Sequence, residues 1–334
     1  MSAEQPRIVI TDLGHARRVE LFGCLYAFDK KMSPHLMFET TYSEPLIRLI
    51  ARNKGISGVK NTIDKESQPD YVLGPMRRLI TRYVDPDTGP CEVLDYGCGA
   101  GGASISLARI LPQARITGVD INPGFVEIAQ ALIPELGMAS RVTASTIDLH
   151  KPLPFPDERF DIVTCSGVIE HIHPRRRAFY LNQMWRVLRT GGRLFIRDTP
   201  NRFFPFDGHT SWLPFVHWLP LKLGAPLARA LSRRKLAANS NEALIDLGFI
   251  GVSYHEVLRR IRTTGGRPVD LTRTNRHCVN DFFCYWIKKE TGWRRLVKLA
   301  IRAGYRVLER VLRPLGVPIA ALLPTLTLCI RKDG

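Results

Sequence analysis

A glycine-rich turn between a buried strand and a helix is the feature that most constrains this fold. Val93 and Leu94 suit a buried strand, and apolar residues recur at helical spacing from Ser104 to Ile110. Between them lies the turn Asp95-Tyr96-Gly97-Cys98-Gly99-Ala100-Gly101-Gly102. Its glycines lack a Cβ where the backbone turns hardest, so a ligand can lie against bare peptide. The N–H groups that begin the helix point towards such a ligand.

Two further predicted strands each end in an acidic residue. The strand Ala114–Val119 is followed by Asp120, and the strand Arg141–Ile147 is followed by Asp148. With Asp95, each of three successive strands therefore carries one carboxylate at its carboxyl end, where open α/β sheets bind their ligands. The interval from the turn to Asp120 is also the one expected for a ribose-binding carboxylate. Strands that alternate with helices predict an α/β fold with a mostly parallel sheet.

These residues resemble those of class I S-adenosylmethionine-dependent methyltransferases, and in particular the ubiquinone-biosynthesis type (methyltransferase type 11). The family motif, acidic-x-Gly-x-Gly-x-Gly, is matched by Asp95–Gly101. A fourth predicted strand, Phe160–Ser166, leads into Val168-Ile169-Glu170-His171-Ile172, which resembles the subgroup's signature. The segment Trp185–Ile196, with its Leu-Arg-x-Gly-Gly turn, resembles the family's next helix and fifth strand. The resemblance is close over residues 75–200.

The resemblance implies a doubly wound, Rossmann-like sheet of seven strands, S-adenosylmethionine as the cofactor and methyl transfer as the reaction. It implies that Asp95 lies near the methionine end, that Asp120 binds the ribose hydroxyls and that Asp148 receives the adenine amino group. The other residues that it assigns to the cofactor site are Gly97, Gly99, Gly101, Ile121, Ile147 and Ser166. For each aspartate, the alternative is a role in capping a helix or a turn.

A nicotinamide-dependent dehydrogenase is the main rival interpretation of the turn. Gly97, Gly99 and Gly102 also satisfy the G-x-G-x-x-G spacing of dinucleotide-binding folds. The acidic residue before the first glycine and the Leu-Arg-x-Gly-Gly turn favour the methyltransferase interpretation.

The excess positive charge lies in the C-terminal part of the chain. The net charge is +17, and residues 200–334 carry 23 Lys and Arg against 9 Asp and Glu. From Trp293 to Arg313, apolar residues recur at helical spacing opposite a face of seven basic residues. This pattern is typical of a helix that lies in an anionic membrane interface. A core-packed helix with a solvated basic face, or one that binds a nucleic-acid backbone, would show the same pattern.

The sequence predicts four segments. They are a helical lead-in or cap over residues 1–84, a cofactor-binding core over 85–262 and 323–334, an aromatic lid over 200–235, and a basic amphipathic insertion over 263–322. The lead-in is expected to contain a partly helical stretch at 36–51, a polar loop at 55–69 and a helix at 71–84. The insertion would separate the last two strands.

Three elements are predicted after the lid. Ser240 can cap a helix from Asn241 to Leu247, and Phe249–His255 follows as a sixth strand. The last strand is Thr325–Ile330. About 70 residues between these two strands are too many for a structureless loop in a compact domain, so an insertion with its own purpose is expected.

Several classes of protein are excluded by what the sequence lacks. The first residues show no basic region followed by an apolar core, as a signal peptide would. No apolar run reaches the roughly 18–20 residues of a membrane-spanning helix. The seven cysteines have no zinc-site or disulfide spacing and are expected to be reduced. We therefore expect a cytoplasmic protein that associates with the inner face of the membrane.

Two histidines are candidates for the catalytic base, because imidazole titrates near neutral pH. His171 lies just beyond the fourth strand, and His209 lies in the aromatic segment. Some ubiquinone-type methyltransferases hold a divalent metal with an acidic residue three positions before the Glu170-His171 pair. Here that position is Gly167, so no metal is expected. A zinc site at His171 and His173 is the weaker alternative.

The leading hypothesis is O-methylation of an amphiphilic small molecule, a lipid or a lipid-linked glycan at the membrane surface. One alternative is a methyltransferase that acts on RNA or protein and binds it through the basic C-terminal region. The other is a regulatory protein that binds S-adenosylmethionine without catalysis, although the intact glycine and aspartate positions argue against it.

Overall fold

The computed structural model describes residues 7–26, 31–68, 71–234, 236, 238, 240–261, 265–275, 277–288 and 291–334. The chain divides into two compact units. The first comprises Met1–Pro90 and Cys98–His150, and the second comprises Cys91–Gly97 and Lys151–Gly334.

The first unit begins with an antiparallel sheet of three strands, β1 (Arg7–Asp12), β2 (Arg17–Tyr26) and β3 (Lys31–Thr40). Along β2 the apolar residues Val19 and Leu21 are fully buried and alternate with charged residues, as in a strand with one covered face. The prediction of a helical lead-in is therefore wrong for residues 7–26 and 31–40, which form strands and their connections, because this period-two alternation favours a sheet.

Three helices follow: α1 (Glu44–Lys54), α2 (Ile56–Ser67) and α3 (Leu73–Ile80). The predicted polar loop at 55–69 is wrong, since α2 occupies most of it. Val59 and Ile63, four residues apart, are buried on one face of α2, so a few apolar residues at helical spacing outweigh a polar composition. The helix predicted at 71–84 is confirmed in shortened form as α3.

The rest of the first unit contains α4 (Gly102–Ile110), β5 (Arg115–Asp120), α5 (Pro123–Glu135) and β6 (Val142–Thr146). Strands β5 and β6 are parallel. These two strands and the helix after the glycine turn confirm the elements predicted there. The lead-in and these elements share one hydrophobic core, in which Leu21, Ile47, Ile105 and Ile128 are fully buried.

The second unit contains β4 (Glu92–Tyr96), β7 (Phe160–Ser166), α6 (Arg177–Val187) and β8 (Leu188–Pro200). Near its end β9 (Arg267–Asp270) and β10 (Thr325–Asp333) form an antiparallel pair, and β10 is also antiparallel to β8. The strand order of the main sheet is β6-β5-β4-β7-β8-β10-β9. This order confirms the predicted mostly parallel, seven-stranded α/β sheet.

The remaining helices are α7 (Leu221–Leu231), α8 (Asn241–Asp246), α9 (Tyr254–Ile261), α10 (Cys278–Lys288) and α11 (Gly292–Leu312). The predicted cap of α8 is confirmed, because the Ser240 hydroxyl accepts the N–H of Ala243. The predicted strand Phe249–His255 is wrong. Gly248 and Gly251 have φ of +85° and +64°, which interrupts an extended run, and only Val252 bridges Asn201.

The sixth strand of the sheet is instead β9, which lies within the segment predicted to be the insertion. Its four residues, Arg267-Pro268-Val269-Asp270, are too few and too polar to give a strand pattern, and they are extended because they pair with β10. Between β9 and β10 the chain forms α10 and α11. Across the described ranges, no helix has the length and apolar content needed to span a membrane.

Five cysteines, Cys91, Cys98, Cys165, Cys278 and Cys329, are free thiols. The side chains of the other two, Cys24 and Cys284, lie outside the described part of the structure. These five residues form no disulfide in the described part of the structure, and their reduced state stays a prediction.

Candidate functional site: a glycine turn and a histidine cluster

The carboxylate at the end of β4 is held inside the second unit. Asp95 is 1% exposed, and its Oδ1 accepts a hydrogen bond of 2.9 Å from the Thr164 hydroxyl on β7. Since β4 and β7 are parallel neighbours with Asp95 opposite Thr164, this bond fixes the carboxylate at the start of the glycine turn.

The three alternating glycines of the turn all have left-handed backbone conformations. Their φ values are +79° at Gly97, +53° at Gly99 and +86° at Gly101, a region that disfavours other residues. In the second unit, a Cβ on Gly97 would lie 2.2 Å from Cγ2 of Val168. A Cβ on Gly99 would meet nothing within 4 Å, so the backbone there borders open space.

In the first unit, Asp120 connects the turn to the next two strands. Its Oδ2 accepts the N–H of Gly99 at 2.8 Å, and its Oδ1 accepts the N–H of Asn122 at 2.9 Å. Its backbone carbonyl accepts the N–H of Ile147 at 2.9 Å. The structure thus brings Gly99, Asp120 and Ile147 together. A carboxylate offers about four lone-pair positions, so Asp120 can still accept two ribose hydroxyls.

The other predicted cofactor residues lie at or just after the ends of strands. Ile121 is 48% exposed. Asp148 is exposed, and its Oδ1 accepts the N–H of His150 at 2.8 Å, as in a turn-forming aspartate. Ser166 ends β7 and is half-buried.

Both predicted catalytic histidines lie in the second unit and are close to each other. The ring centroids of His171 and His209 are 5.7 Å apart. Glu170, which is 1% exposed, belongs to the same cluster, because one ligand atom from each of the three residues lies within 4.8 Å of the others. Glu170 was not predicted as a site residue, although it stands beside His171 in the signature after β7.

Hydrogen bonds fix which nitrogen of each imidazole is protonated. The Nδ1 of His171 donates to the carbonyl of Asp246 at 2.5 Å. The Thr210 hydroxyl donates to the carbonyl of Leu247 at 2.8 Å, so its oxygen accepts from Nδ1 of His209 at 3.3 Å. In the neutral rings, Nε2 of both histidines therefore carries a free lone pair.

The protonation of this cluster is strongly affected by burial. Burial raises the pKa of Glu170 to about 7, because a carboxylate is poorly solvated there. Burial, with the neighbouring His171, lowers the pKa of His209. A neutral imidazole at position 209 is therefore favoured near neutral pH.

A buried aspartate organises the aromatic segment around His209. Asp207 is 7% exposed, and its Oδ1 accepts the N–H groups of His209 and Thr210 at 3.1 Å and 2.9 Å. Its Oδ2 accepts both the N–H and the hydroxyl of Ser211 at 2.7 Å. This residue was missed, although an aspartate in a loop often accepts the backbone N–H two residues further on.

His209 also lines a cavity of about 510 Å³ in the second unit. Most of the wall is apolar. Its main residues are Phe204, Phe206, Phe249 and Phe282, with the imidazoles of His209 and His217 as polar groups. A few polar groups in an apolar cavity of this size are typical of a small-molecule site.

Comparisons with known proteins find similarity to methyltransferases. A model for a methyltransferase domain matches residues 93–192. A demethylmenaquinone methyltransferase from Symbiobacterium thermophilum is 27% identical over 49% of this chain and 70% of its own length. The ubiquinone/menaquinone biosynthesis C-methyltransferase UbiE from Vibrio vulnificus is 27% identical over 64% of this chain and 81% of its own length.

These findings support a class I S-adenosylmethionine-dependent methyltransferase that is similar to the UbiE-like subgroup. Ajmaline N-methyltransferase from Rauvolfia serpentina is 33% identical, over 35% of this chain and 39% of that protein. Among solved structures, a methyltransferase from Aquifex aeolicus matches 42% of this chain and 71% of its own chain, with 20% identity and a TM-score of 0.36.

The residues of this methyltransferase fit its cofactor. Backbone without side chains borders open space at Gly99, and the Asp120 carboxylate beside it retains free lone pairs. The helix α4 starts at Gly102, so its first N–H groups add positive potential at the end of the turn.

We expect Gly97→Ala to destabilise the turn, because a Cβ would overlap Val168 and the left-handed φ would be strained. A positive φ costs a non-glycine residue about 1–2 kcal/mol, and the overlap adds to this. Thermal unfolding should show a lower midpoint for Gly97→Ala, and the double variant Gly97→Ala with Val168→Ala should recover part of the loss. If Val168→Ala recovers nothing beyond its own effect, the close contact does not limit residue 97.

Proposed function

We propose that this methyltransferase transfers the methyl group to an oxygen of an amphiphilic small molecule, a lipid or a lipid-linked glycan. We further propose that it does so at the inner face of an anionic membrane, to which it binds peripherally. The observation that carries the proposal is that the apolar stripe of α11 faces solvent and not the protein core.

The stripe is exposed along the whole helix, and α11 contains no buried residue. The exposed fractions are 70% for Trp293, 68% for Leu296, 58% for Val307 and 59% for Val311. An apolar stripe that packed on a core would be largely buried. Its exposure argues against the interpretation of α11 as a core-packed helix, and large exposed apolar patches mark interaction sites.

A different edge of α11 packs on the rest of the second unit. Leu299, Tyr305 and Leu312 are partly buried against a small hydrophobic cluster that includes Phe283 of α10. The rings of Tyr305 and Phe283 are 5.3 Å apart. The helix is therefore anchored by one edge, and its main apolar stripe remains available to a partner.

The charges around the stripe suit an anionic lipid surface. The polar positions of α11 and its C-cap include Arg294, Arg295, Lys298, Arg302, Arg306, Arg310 and Arg313. Each basic residue near an anionic membrane contributes about 1 kcal/mol of attraction. A Trp and aliphatic stripe beside such a basic face is the pattern of an interfacial helix.

The aromatic segment and its cavity support an amphiphilic acceptor. Trp212, Phe215 and Trp218 are 49%, 52% and 43% exposed, which suits residues that sit at a lipid–water boundary. The apolar wall of the cavity would accommodate the hydrocarbon or ring portion of the acceptor. His171 and His209 would border the group that is methylated.

Oxygen is the proposed acceptor atom because the cluster can remove a proton. The cofactor supplies a methyl group on a positively charged sulfur, so the protein must mainly align a nucleophile and take its proton. His171 and His209 each offer a free Nε2 lone pair, and His209 lines the cavity. The relatives are named for C-methylation and N-methylation, so the acceptor atom is a separate proposal.

The resemblance of the strand-end aspartates to the family motif supports the proposed cofactor contacts. We assign the ribose hydroxyls to Asp120, the adenine amino group to Asp148 and the methionine end to the neighbourhood of Asp95. Gly97, Gly99 and Gly101 supply bare backbone, and Ile121, Ile147 and Ser166 would flank the nucleoside.

We expect Asp120→Ala to weaken the binding of S-adenosylmethionine by about 10- to 100-fold, since two hydrogen bonds to a charged group would be lost at about 1.5–3 kcal/mol each, partly offset by water. Isothermal titration of the full chain measures this affinity. Asp87→Ala, in an exposed loop, is the matched control and should bind normally. Equal affinities for the two variants would remove Asp120 from the ribose site.

The acceptor class is tested by incubating the protein with methyl-labelled cofactor and separate lipid, aqueous and RNA fractions of a cell extract. We expect the label in the lipid fraction, with a carbon chemical shift typical of an O-methyl group. Asp120→Ala should lose most of this labelling. Label in RNA or protein would support the polymer-methylating alternative, and label at carbon or nitrogen would overturn O-methylation.

Membrane binding is tested by flotation with vesicles. We expect the intact protein to float with anionic vesicles, and Leu296→Glu with Val307→Glu to reduce the bound fraction at least about tenfold, because each buried apolar side chain contributes about 1.5–3 kcal/mol. Val9→Glu with Met37→Glu, at exposed positions of β1 and β3, is the matched control. Failure of the intact protein to float with anionic vesicles would end the membrane proposal.

A further inference from the structure

The helix α7 carries its large apolar side chains on a face that is open to solvent. Leu223, Leu227 and Leu231 recur every four residues, so they form one stripe along the helix. Their exposed fractions are 59%, 41% and 60%. A surface helix of a soluble protein turns its apolar stripe towards the core. The stripe of α7 therefore needs an explanation outside the core.

The opposite face of α7 is built from small residues and packs closely on the aromatic segment. Ala225 and Ala228 are fully buried in a hydrophobic cluster with Val216 and Phe249. A Cβ on Gly224 would lie 2.4 Å from the carbonyl oxygen of Val216, so any larger residue would push the helix away. The small face thus fixes the orientation of α7, and the leucines cannot turn inwards without breaking these contacts.

Two exposed residues of the aromatic segment have a strained backbone conformation. Trp212 and Phe215 both have φ of +59°, which bulky residues rarely adopt. The N–H of Trp212 donates to the carbonyl of Asp207 at 2.8 Å, and the N–H of Phe215 donates to the carbonyl of Pro205 at 2.7 Å. Strain that the surrounding structure maintains in this way is concentrated at functional positions. Here the strained residues are two aromatic rings that remain half exposed.

The leucines of α7 and the exposed aromatic rings lie on adjoining elements. The rings of Phe215 and Trp218 are 5.0 Å apart, and Val216 between them is the residue on which α7 packs. At the other end of α7, the hydroxyl of Ser232 donates to the carbonyl of Ser211 at 2.7 Å. We call the six exposed side chains on these elements the insertion surface: Leu223, Leu227, Leu231, Trp212, Phe215 and Trp218.

The charged side chains in this part of the chain are all basic. Residues 208–241 include five Lys or Arg and no Asp or Glu. Lys222 and Arg233, one near each end of α7, are exposed. An anionic lipid surface would attract these groups and cover the apolar side chains between them. A second copy of the chain would bring the same positive charge to the contact, which argues against self-association.

We propose that the insertion surface penetrates the boundary between headgroups and acyl chains of an anionic lipid leaflet, as a second membrane contact besides α11. The leucines and aromatic rings leave water there, while Lys222 and Arg233 stay among the headgroups. This inference deepens the proposed membrane binding and rests on it. It adds the part of the second unit that enters the lipid.

Insertion at this place would bring the cavity to the lipid. Phe206 lines the cavity and is 41% exposed, and its ring is 6.5 Å from that of Trp212. Phe249 also lines the cavity and belongs to the cluster on which α7 packs. Because the cavity and the insertion surface share these neighbours, an acceptor with a hydrocarbon portion can move from the leaflet into the cavity along an apolar path.

Flotation with vesicles of phosphatidylcholine and phosphatidylglycerol tests the insertion surface. The full-length variant Leu223→Gln with Leu231→Gln keeps the net charge and the helix-forming tendency of α7. We expect it to bind the vesicles at least about tenfold more weakly than the unaltered protein, because two apolar side chains no longer leave water. The difference should persist between about 0.1 M and about 1 M salt, since salt screens charges and does not weaken apolar burial.

Val9→Gln with Met37→Gln, at exposed positions of β1 and β3, is the matched control and should float as the unaltered protein does. Both double variants should keep the thermal unfolding midpoint of the unaltered protein, because the substituted side chains are exposed. A lower midpoint in the α7 variant would show that the stripe stabilises the fold, and it would overturn the assignment of these leucines to a lipid contact.

Tryptophan quenching by lipids brominated in their acyl chains is the second measurement. Quenching should persist in Trp293→Phe, which removes the tryptophan of α11. It should be largely lost when Trp212→Phe and Trp218→Phe are added to that variant. Quenching that persists without these two tryptophans would overturn insertion through the aromatic segment.

The outcomes separate this inference from the proposed function. Equal flotation of the α7 variant and the unaltered protein would overturn insertion and leave membrane binding through α11 in place. Failure of the unaltered protein to float would overturn both. Self-association in sedimentation that the α7 variant abolishes would assign the surface to a second copy of the chain and overturn the lipid contact. These measurements need no methyl acceptor, so a wrong acceptor class does not alter them.

Discussion

The backbone conformation of the glycine turn is the constraint on which the cofactor site depends. Three left-handed positions in five residues reverse the chain between β4 and α4, and only glycine adopts them without strain. At Gly97 the packing of Val168 also excludes any side chain. The hydrogen bond from Gly99 to Asp120 then ties the turn to the carboxyl end of β5. Geometry that is fixed in this way needs little reorganisation when a ligand binds, which lowers the cost of binding.

The sequence allowed the cofactor-binding strands to be predicted, because each carries a long-range signal of its own. Strands β4, β5 and β7 are mostly buried apolar runs that end at an aspartate or just before a glycine. Such runs are typical of parallel strands, because both faces of the sheet are covered. The elements that were wrongly predicted lack such a signal. The short strand β9 has a proline and two charged residues, and it is extended only because β10 pairs with it. The sequence of α2 is mostly polar and resembles a loop. It forms a helix because Val59 and Ile63 pack in the hydrophobic core.

The residues of the candidate site also divide into those that the sequence predicts and those that it does not. Asp95, the three glycines and Asp120 could be selected from the sequence, because motif spacing determines their positions. The proximity of His171 and His209 could not be predicted, since 37 residues separate them and the turn that Asp207 organises is set by tertiary contacts. For α11 the sequence predicted the amphipathic pattern correctly but could not decide which way it faces. That decision depends on Tyr305 and Leu312, which hold the helix by an edge that the apolar stripe does not use.

The proposed acceptor site places two physical demands on the aromatic segment of the second unit. A membrane-bound acceptor requires an exposed apolar surface, and such surfaces mark interaction sites. Removal of the acceptor's proton requires an imidazole that is held in place beside the cavity. Trp212 and Phe215 meet the first demand because they are exposed, and Asp207 meets the second because it binds the backbone N–H of His209. An acceptor that entered from a lipid surface would therefore pass from an apolar entrance to a proton-accepting group within one continuous stretch of chain.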